Sequence, residues 1–154
     1  MINQLLTNKK EQTRFIRFAI VGAIGAVVDF TVFNLLAVIF PTGQNIVFQS
    51  ISFTVAVLSN FLWNRLWTYP DSRSKSISSQ LTQFFIVNLI GLGIRTLIYT
   101  GFEKLFLSIF LPMDSLPLTA EVISKNLALA GAIGIVMIWN FFINRIWTYN
   151  DVKD

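Results

Sequence analysis

Apolar and polar positions segregate along this chain into long blocks. Four apolar runs, roughly Phe15 to Val38, Ile46 to Leu66, Phe84 to Leu105 and Val122 to Ile146, are separated by polar stretches. At 1.5 Å of rise per residue, each run is long enough to cross a hydrocarbon core about 30 Å thick. The pattern predicts an all-α, polytopic membrane protein with four transmembrane helices. The first run starts too late and extends too far for a cleavable signal peptide, whose apolar region is about 7 to 15 residues, so it is expected to stay as an anchor.

Composition supports a bilayer as the solvent. Of 154 residues 54% are hydrophobic and only 13% charged, with a mean hydropathy of +0.63, whereas a soluble domain carries about a quarter charged residues. The net charge of +4 matters less than its distribution. The N-terminal stretch holds Lys9, Lys10, Arg14 and Arg17, the central connection holds Arg65, Arg73 and Lys75, and the C-terminal end holds Arg145 and Lys153. The opposite side has the uncharged loop Pro41-Thr42-Gly43-Gln44-Asn45 and a longer connection, Glu103 to Glu121, with Lys104 and Lys125 nearby. Nine basic residues against two predict that both termini and the central loop are cytoplasmic. This accounts for the basic surplus without nucleic acid as a partner. In the longer outside connection Leu105, Phe106, Leu107, Ile109, Phe110 and Leu111 mix with Pro112 and Pro117, which predicts a segment running along the outer interface. Trp63, Trp67, Tyr69, Trp147 and Tyr149 sit where an aromatic belt belongs.

Cys and His are both absent. This excludes disulfides, thiol nucleophiles and the commonest metal ligands and general bases. No Walker, dinucleotide-binding or nucleophile-base motif occurs, so neither an enzyme, a metal nor a cofactor is expected.

Self-comparison reveals a duplication. Asn60-Phe-Leu-Trp-Asn64-Arg65-Leu-Trp67-Thr68-Tyr69-Pro-Asp71 returns as Asn140-Phe-Phe-Ile-Asn144-Arg145-Ile-Trp147-Thr148-Tyr149-Asn-Asp151, with eight identities in twelve positions. The match continues more weakly into the first and third helices, where Val21, Ile24 and Gly25 fall on Val87, Ile90 and Gly91. A single domain of two helix hairpins is expected, repeat one over about 14–71 and repeat two over about 81–151. An even number of crossings makes the repeats parallel, related by an axis along the membrane normal. The offset grows from 66 to 80 residues, an insertion of 14 in the longer outside connection.

The duplication organises the polar residues. Gly22, Gly25 and Asp29 correspond to Asn88, Gly91 and Arg95, each trio at i, i+3, i+7 and so on one helix face. Asp29 and Arg95 are mid-span, where an uncompensated charge costs at least about 2.5 to 3.5 kcal/mol, and mutual pairing is the economical expectation. Such a pair either only clips helices one and three together or is functional, as intramembrane charges are by default. Asn60, Asn64 and Trp67, and likewise Asn140, Asn144 and Trp147, share a face nearer the cytoplasm. The asparagines either bond between helices, at about 0.6 to 2 kcal/mol each, or line a cavity for the hydroxyls of a head group. Arg65 and Arg145 either anchor the topology or bind phosphate. Gly22, Gly25, Gly131 and Gly134 are expected to be close helix-packing positions.

Arg17-Phe-Ala-Ile-Val-Gly22 followed by Asp29-Phe, Gln83-Phe-Phe-Ile-Val-Asn88, and the two Asn-to-Tyr runs together resemble the GtrA family of small four-helix membrane proteins. The resemblance covers about Arg14 to Asp151, and it is carried more by Asn64, Arg65, Asn144 and Arg145 than by Asp29 and Arg95. It implies movement of a polyprenyl-phosphate-linked sugar across the bacterial cytoplasmic membrane, for cell-surface polysaccharide or teichoic-acid glycosylation, between separate membrane glycosyltransferases. On that reading Arg14, Arg17, Arg65 and Arg145 attract the phosphate, while Asn60, Asn64, Asn88, Asn140 and Asn144 accept the sugar. The prenyl chain stays among the membrane lipids, and a homo-oligomer encloses the head group. Two alternatives stand beside it: a proton-coupled drug or cation exporter using Asp29, and a non-transporting adaptor for a glycosyltransferase.

Overall fold

The computed structural model of the chain describes residues 8–42, 45–113 and 119–152. Of the described residues 85% are helical and none is in a strand. Helix α1 spans Lys9–Ile39, α2 Asn45–Trp63, α3 Ile77–Phe110 and α4 Ala120–Ile143. Helices α2 and α4 each continue into a π-helical turn, Asn64–Thr68 and Asn144–Thr148. All four are long and apolar enough to span a membrane, as the apolar runs predict.

The helices extend past those runs. Asn8 starts α1 ahead of Phe15 by accepting the Lys10 N–H at 2.9 Å on its side chain, and Glu11 in the first turn suits the helix dipole. Ser76 does the same for α3, accepting the Ser79 N–H at 3.3 Å. At its far end α3 corrects the expectation of an interfacial connection. The stretch after Leu105 stays helical to Phe110, with Phe102, Phe106 and Phe110 in register at centroid distances of 5.7 and 6.4 Å. Nothing in the chain breaks the helix before Pro112. Asp114 and Pro117 of that connection, Gly43 and Gln44 of the short loop, and Lys153 lie outside the described residues.

The chain divides into two compact units. The first comprises Met1–Phe85 and Asn144–Asp154. In it α1 packs along α2, with Phe18, Val21, Phe48, Ala56, Val57, Phe61 and Phe84 buried. Phe61 meets Phe84 at 5.8 Å between ring centroids, and Phe84 meets Tyr149 at 6.4 Å. The first turns of α1, the stretch after α4 and the central connection come together in this unit. The second unit, Ile86–Ile143, buries Val87, Ala128, Ala132, Val136 and Phe141. Phe30, Val38 and Leu97 are largely exposed, as side chains facing lipid should be. Several hydroxyls in the spans bond within their own helices: Thr54 donates to the Ser50 carbonyl at 2.7 Å and Thr100 to the Thr96 carbonyl at 2.9 Å. That local bond lets a polar side chain sit in hydrocarbon.

The same helix approach occurs in both units. In the first, the Asn60 side-chain amide fills the space where a Cβ on Gly25 would lie; in the second, Asn140 Oδ1 is 2.6 Å from the Cβ position of Gly91. Gly25 with Gly91 and Asn60 with Asn140 are the positions that the self-comparison aligns. Gly131 is also a tight contact, its Cβ position 2.7 Å from the Phe102 ring, whereas Gly22 and Gly134 face open space. The expected packing role thus holds for Gly25 and Gly131 and fails for the other two. Gly25→Ala and Gly91→Ala should each lower stability by about 1 to 3 kcal/mol through overpacking, while Gly22→Ala should stay within about 0.5 kcal/mol. Thermal unfolding in detergent checks this, and equal midpoints for Gly25→Ala and Gly22→Ala would exclude the close approach.

Candidate functional site

The two π-turns build a polar centre in the first unit. A π-turn replaces the i→i+4 bond by i→i+5: the Tyr69 N–H donates to the Asn64 carbonyl and the Tyr149 N–H to the Asn144 carbonyl, both at 2.8 Å. Asn64, Thr68 and Tyr69 are buried, and so are Asn144, Thr148 and Tyr149. The two tyrosine rings stack with centroids 4.3 Å apart and planes 16° from parallel. Burial, reinforced by Glu11 and opposed by Arg145 and Arg14, pushes the Tyr69 hydroxyl well above the usual phenol range. Burial and then the neighbouring Tyr69 do the same to Tyr149, against the pull of Arg65. Both hydroxyls are therefore proton donors, and neither has a hydrogen-bond partner in the protein.

Charged groups pack around this stack. Glu11, 5% exposed, accepts from the Arg14 Nη1 and from the Arg145 Nε at 3.3 Å. Arg14, 3% exposed, also donates from Nη2 to Asp71 at 2.9 Å, and its guanidinium lies 5.8 Å from the Tyr69 ring centroid. Arg17 donates to the Trp67 carbonyl at 2.9 Å and covers the Trp67 ring. Arg73 donates to the Arg65 carbonyl at 3.1 Å. Lys75 donates to the Trp147 carbonyl at 2.6 Å and to the Gln83 amide oxygen at 3.2 Å. These cations satisfy the terminal carbonyls of the π-turns, which a helix leaves unpaired and partially negative.

The central connection closes the cluster. Ser72 donates to Asp151 at 2.5 Å and accepts from the Gln80 amide at 2.5 Å. The Ser74 hydroxyl donates to the second Asp151 oxygen at 2.8 Å and its N–H does so at 3.0 Å. Partial burial works to raise the Asp151 carboxyl, but the bonds from Ser72 and Ser74 outweigh it and hold the group below its ordinary value of 3.8.

Of the residues singled out in the sequence, Arg14, Arg17, Asn64, Arg65, Asn144 and Arg145 all belong to this first unit. Asn60 is half-buried there against Gly25. Asn88 and Asn140 are half-buried in the second unit, where Asn140 meets Gly91. Asp29 is half-buried on α1 in the first unit, and Arg95 is exposed on α3 in the second. Trp67 is only half-buried and Trp147 exposed. The buried face runs instead through Phe61, Asn64, Arg65, Thr68 and Tyr69.

This centre lies inside a stretch with known relatives. The model of the GtrA/DPMS transmembrane domain matches residues 17–149. The chain belongs to the GtrA/DPMS transmembrane-domain family. Among individual relatives of this GtrA/DPMS chain, it is 29% identical over 151 residues to the uncharacterized membrane protein YngA of Bacillus subtilis, covering 96% of this chain and 87% of that protein. It is also 32% identical over 98 residues to a dolichol-phosphate mannosyltransferase of Pyrococcus furiosus, covering 64% of this chain but 27% of that enzyme. The resemblance read from the motifs is therefore correct at the level of the family, and the protein is a multi-pass membrane protein.

Sequence reasoning missed Glu11, Thr68, Tyr69, Asp71 and their partners in repeat two as parts of this GtrA/DPMS centre. For most of them the signal was present: Thr68-Tyr69 and Asp71 recur as Thr148-Tyr149 and Asp151 among the eight identities. Glu11 carried no such mark.

Removing Glu11 takes a carboxylate from the buried Arg14 and from the half-buried Arg145. Glu11→Ala should cost about 3 to 5 kcal/mol, and Asp71→Ala, whose side chain is 41% exposed, clearly less; detergent unfolding of both variants measures the order. Because the Asp151 carboxyl ionises at lower pH in the folded chain than in the unfolded one, its contribution is complete above pH 3.8 and is lost as pH falls through the folded value. Asp151→Asn should therefore lower the unfolding midpoint at neutral pH, with the gap to wild type closing below pH 3.8. A gap independent of pH would show that ionisation of Asp151 contributes nothing.

Proposed function

We propose that the protein translocates a polyprenyl-phosphate-linked sugar across the bacterial cytoplasmic membrane, for cell-surface polysaccharide or teichoic-acid glycosylation. The observation that supports this most is the polar centre itself: guanidinium, amide and phenol groups buried together beside the Asn64 and Asn144 turns, in a chain otherwise built to face lipid. A membrane protein holding only its own helices together gains little from burying hydroxyls that lack partners. A carrier of a phosphate and a sugar needs such donors where water is excluded.

In this reading the end that holds both termini faces the cytoplasm, since it carries the basic surplus. Arg14, Arg17, Arg65 and Arg145 create the field that draws in the phosphate. Asn60, Asn64, Asn88, Asn140 and Asn144 offer amides to the sugar, and Asp29 and Arg95 are the intramembrane charges of the two repeats. The prenyl chain remains in lipid, so only the head group is handled by protein. The whole chain acts as one domain of two repeats, 14–71 and 81–151. It performs no bond chemistry and needs no cofactor; separate membrane glycosyltransferases load and unload the sugar, and a homo-oligomer supplies further wall.

A second reading is favoured by the mannosyltransferase relative, in which the matched stretch is 27% of a longer enzyme: the domain is then a membrane platform for a glycosyltransferase and moves nothing itself. Proteoliposomes holding a polyprenyl-phosphate sugar separate the two. Translocation predicts that the sugar becomes accessible from the opposite leaflet faster than in empty vesicles. Rates equal to empty vesicles, with a glycosyltransferase co-purifying, would select the platform.

A further inference from the structure

The duplicated Asn-Arg-x-Trp-Thr-Tyr turn presents two arginines, but the structure treats them differently. Arg145 is held by Glu11 and donates from Nη1 to the Tyr149 carbonyl at 3.4 Å. Arg65 is 9% exposed, and its Nη1 is buried without a hydrogen-bond partner. Among the described residues no carboxylate lies within ion-pairing distance of its side chain.

The asymmetry has a sequence cause. With the 66-residue offset that aligns α1 and α3, the counterparts of Glu11 and Arg14 are Ile77 and Gln80. Repeat one thus supplies the acid that neutralises the arginine of repeat two, and repeat two supplies none in return. Ile77 is exposed, and Gln80 turns to Ser72. The other arginines described at this end, Arg14, Arg17, Arg73 and Arg145, all donate to carboxylates or carbonyls.

We propose that Arg65 is the single anion seat of this domain and takes a phosphate ester, while Arg145 and Arg14 are counter-ions of the fold. A helix end normally repels an anion through its carbonyls. Here Arg73 occupies the Arg65 carbonyl and Arg17 the Trp67 carbonyl, so the end beside Arg65 is already satisfied. Thr68 Oγ1, Tyr69 Oη and Tyr149 Oη, buried in the same cluster without protein partners, supply hydroxyl donors of the kind a phosphate accepts. The assignment of phosphate rests on the transport reading above; the choice of Arg65 over Arg145 rests on the geometry.

The test uses the full-length protein in nanodiscs, with farnesyl phosphate as the lipid-borne probe and inorganic phosphate as the free one, affinity being measured for wild type, Arg65→Gln, Arg145→Gln and Ile77→Glu. Losing a charge-assisted bond should weaken farnesyl phosphate binding about 10- to 100-fold in Arg65→Gln, with a clearly smaller loss in Arg145→Gln. Ile77→Glu, an acid in the first turn of α3, should give Arg65 the counter-ion it lacks and weaken binding like Arg65→Gln without lowering the unfolding midpoint. Should Ile77→Glu fail to fold, the Arg65→Gln against Arg145→Gln order still decides. Farnesyl phosphate binding well above inorganic phosphate identifies a lipid-borne ester, and equal affinities identify a seat for free phosphate; both support an anion seat at Arg65 if the variant order holds. Equal losses in Arg65→Gln and Arg145→Gln, or no binding by wild type, overturn the assignment. The proteoliposome rate decides transport separately: translocation that persists in Arg65→Gln refutes the seat and leaves the transport reading standing.

Discussion

One buried carboxylate, Glu11, ties the two ends of the chain together. Its oxygens accept from Arg14 a turn away on α1 and from Arg145 on the last π-turn, and Arg14 passes the connection on to Asp71 in the central segment. Taking ions out of water costs several kcal/mol apiece, and a mutual network is what makes their burial tolerable. The network therefore constrains where α1 must start, where α4 must finish and how the middle of the chain is held, because withdrawal of Glu11 takes a carboxylate from Arg14 and Arg145 together. A hydrophobic seam alone would do less in a membrane, since lipid tails compete with apolar side chains for the same contacts.

The duplication shows which parts of that end are fixed by packing and which by charge. Phe61 and Phe141, Asn64 and Asn144, Thr68 and Thr148, Tyr69 and Tyr149 are buried alike, and Gly25 with Asn60 repeats as Gly91 with Asn140. Charged groups diverge instead. Arg17 on α1 covers the carbonyl of Trp67, whereas the aligned position on α3 is Gln83, and the carbonyl of Trp147 is covered by Lys75 from the central connection. Lys75 also holds the Gln83 amide, so the missing arginine is replaced by a cation from a different segment. The requirement preserved is electrostatic, a positive charge on the terminal carbonyls, and the residue that meets it is free to move.

The four spans were legible because lipid imposes a long, simple signal: an apolar run of the right length is sufficient evidence for a helix that crosses it. The aligned register of α1 and α3 was legible as well, since Gly25 and Gly91 both face an asparagine. Helix ends were not, because Lys9 to Arg14 and Ile77 to Gln80 are held by caps and ion pairs that hydropathy does not weigh. Trp67 was placed on the polar face by α-helical spacing, and the buried face instead takes in Thr68 and Tyr69 through a turn whose hydrogen bond runs from residue 69 back to residue 64. The last residues of the two repeated runs, Asp71 and Asp151, join α1 and the end that follows α4 to the central segment. No local pattern distinguishes a solvated loop carboxylate from one that reaches a residue fifty positions away.

The tyrosine stack at the centre follows from the same reasoning about cost. Two phenylalanines would fill this space with the same stacking and with no polar atom to desolvate. A buried hydroxyl without a partner costs about 1 to 3 kcal/mol, and here the cost arises twice, at Tyr69 and Tyr149, in copies of one motif. Burial also keeps both hydroxyls protonated, so they can only present donors or lone pairs, never charge. A pair of neutral donors beside one uncompensated guanidinium is poorly suited to holding helices together and well suited to receiving an oxyanion. On the proposed function, the features that weaken this centre as a core are those that would fit it to admit a ligand.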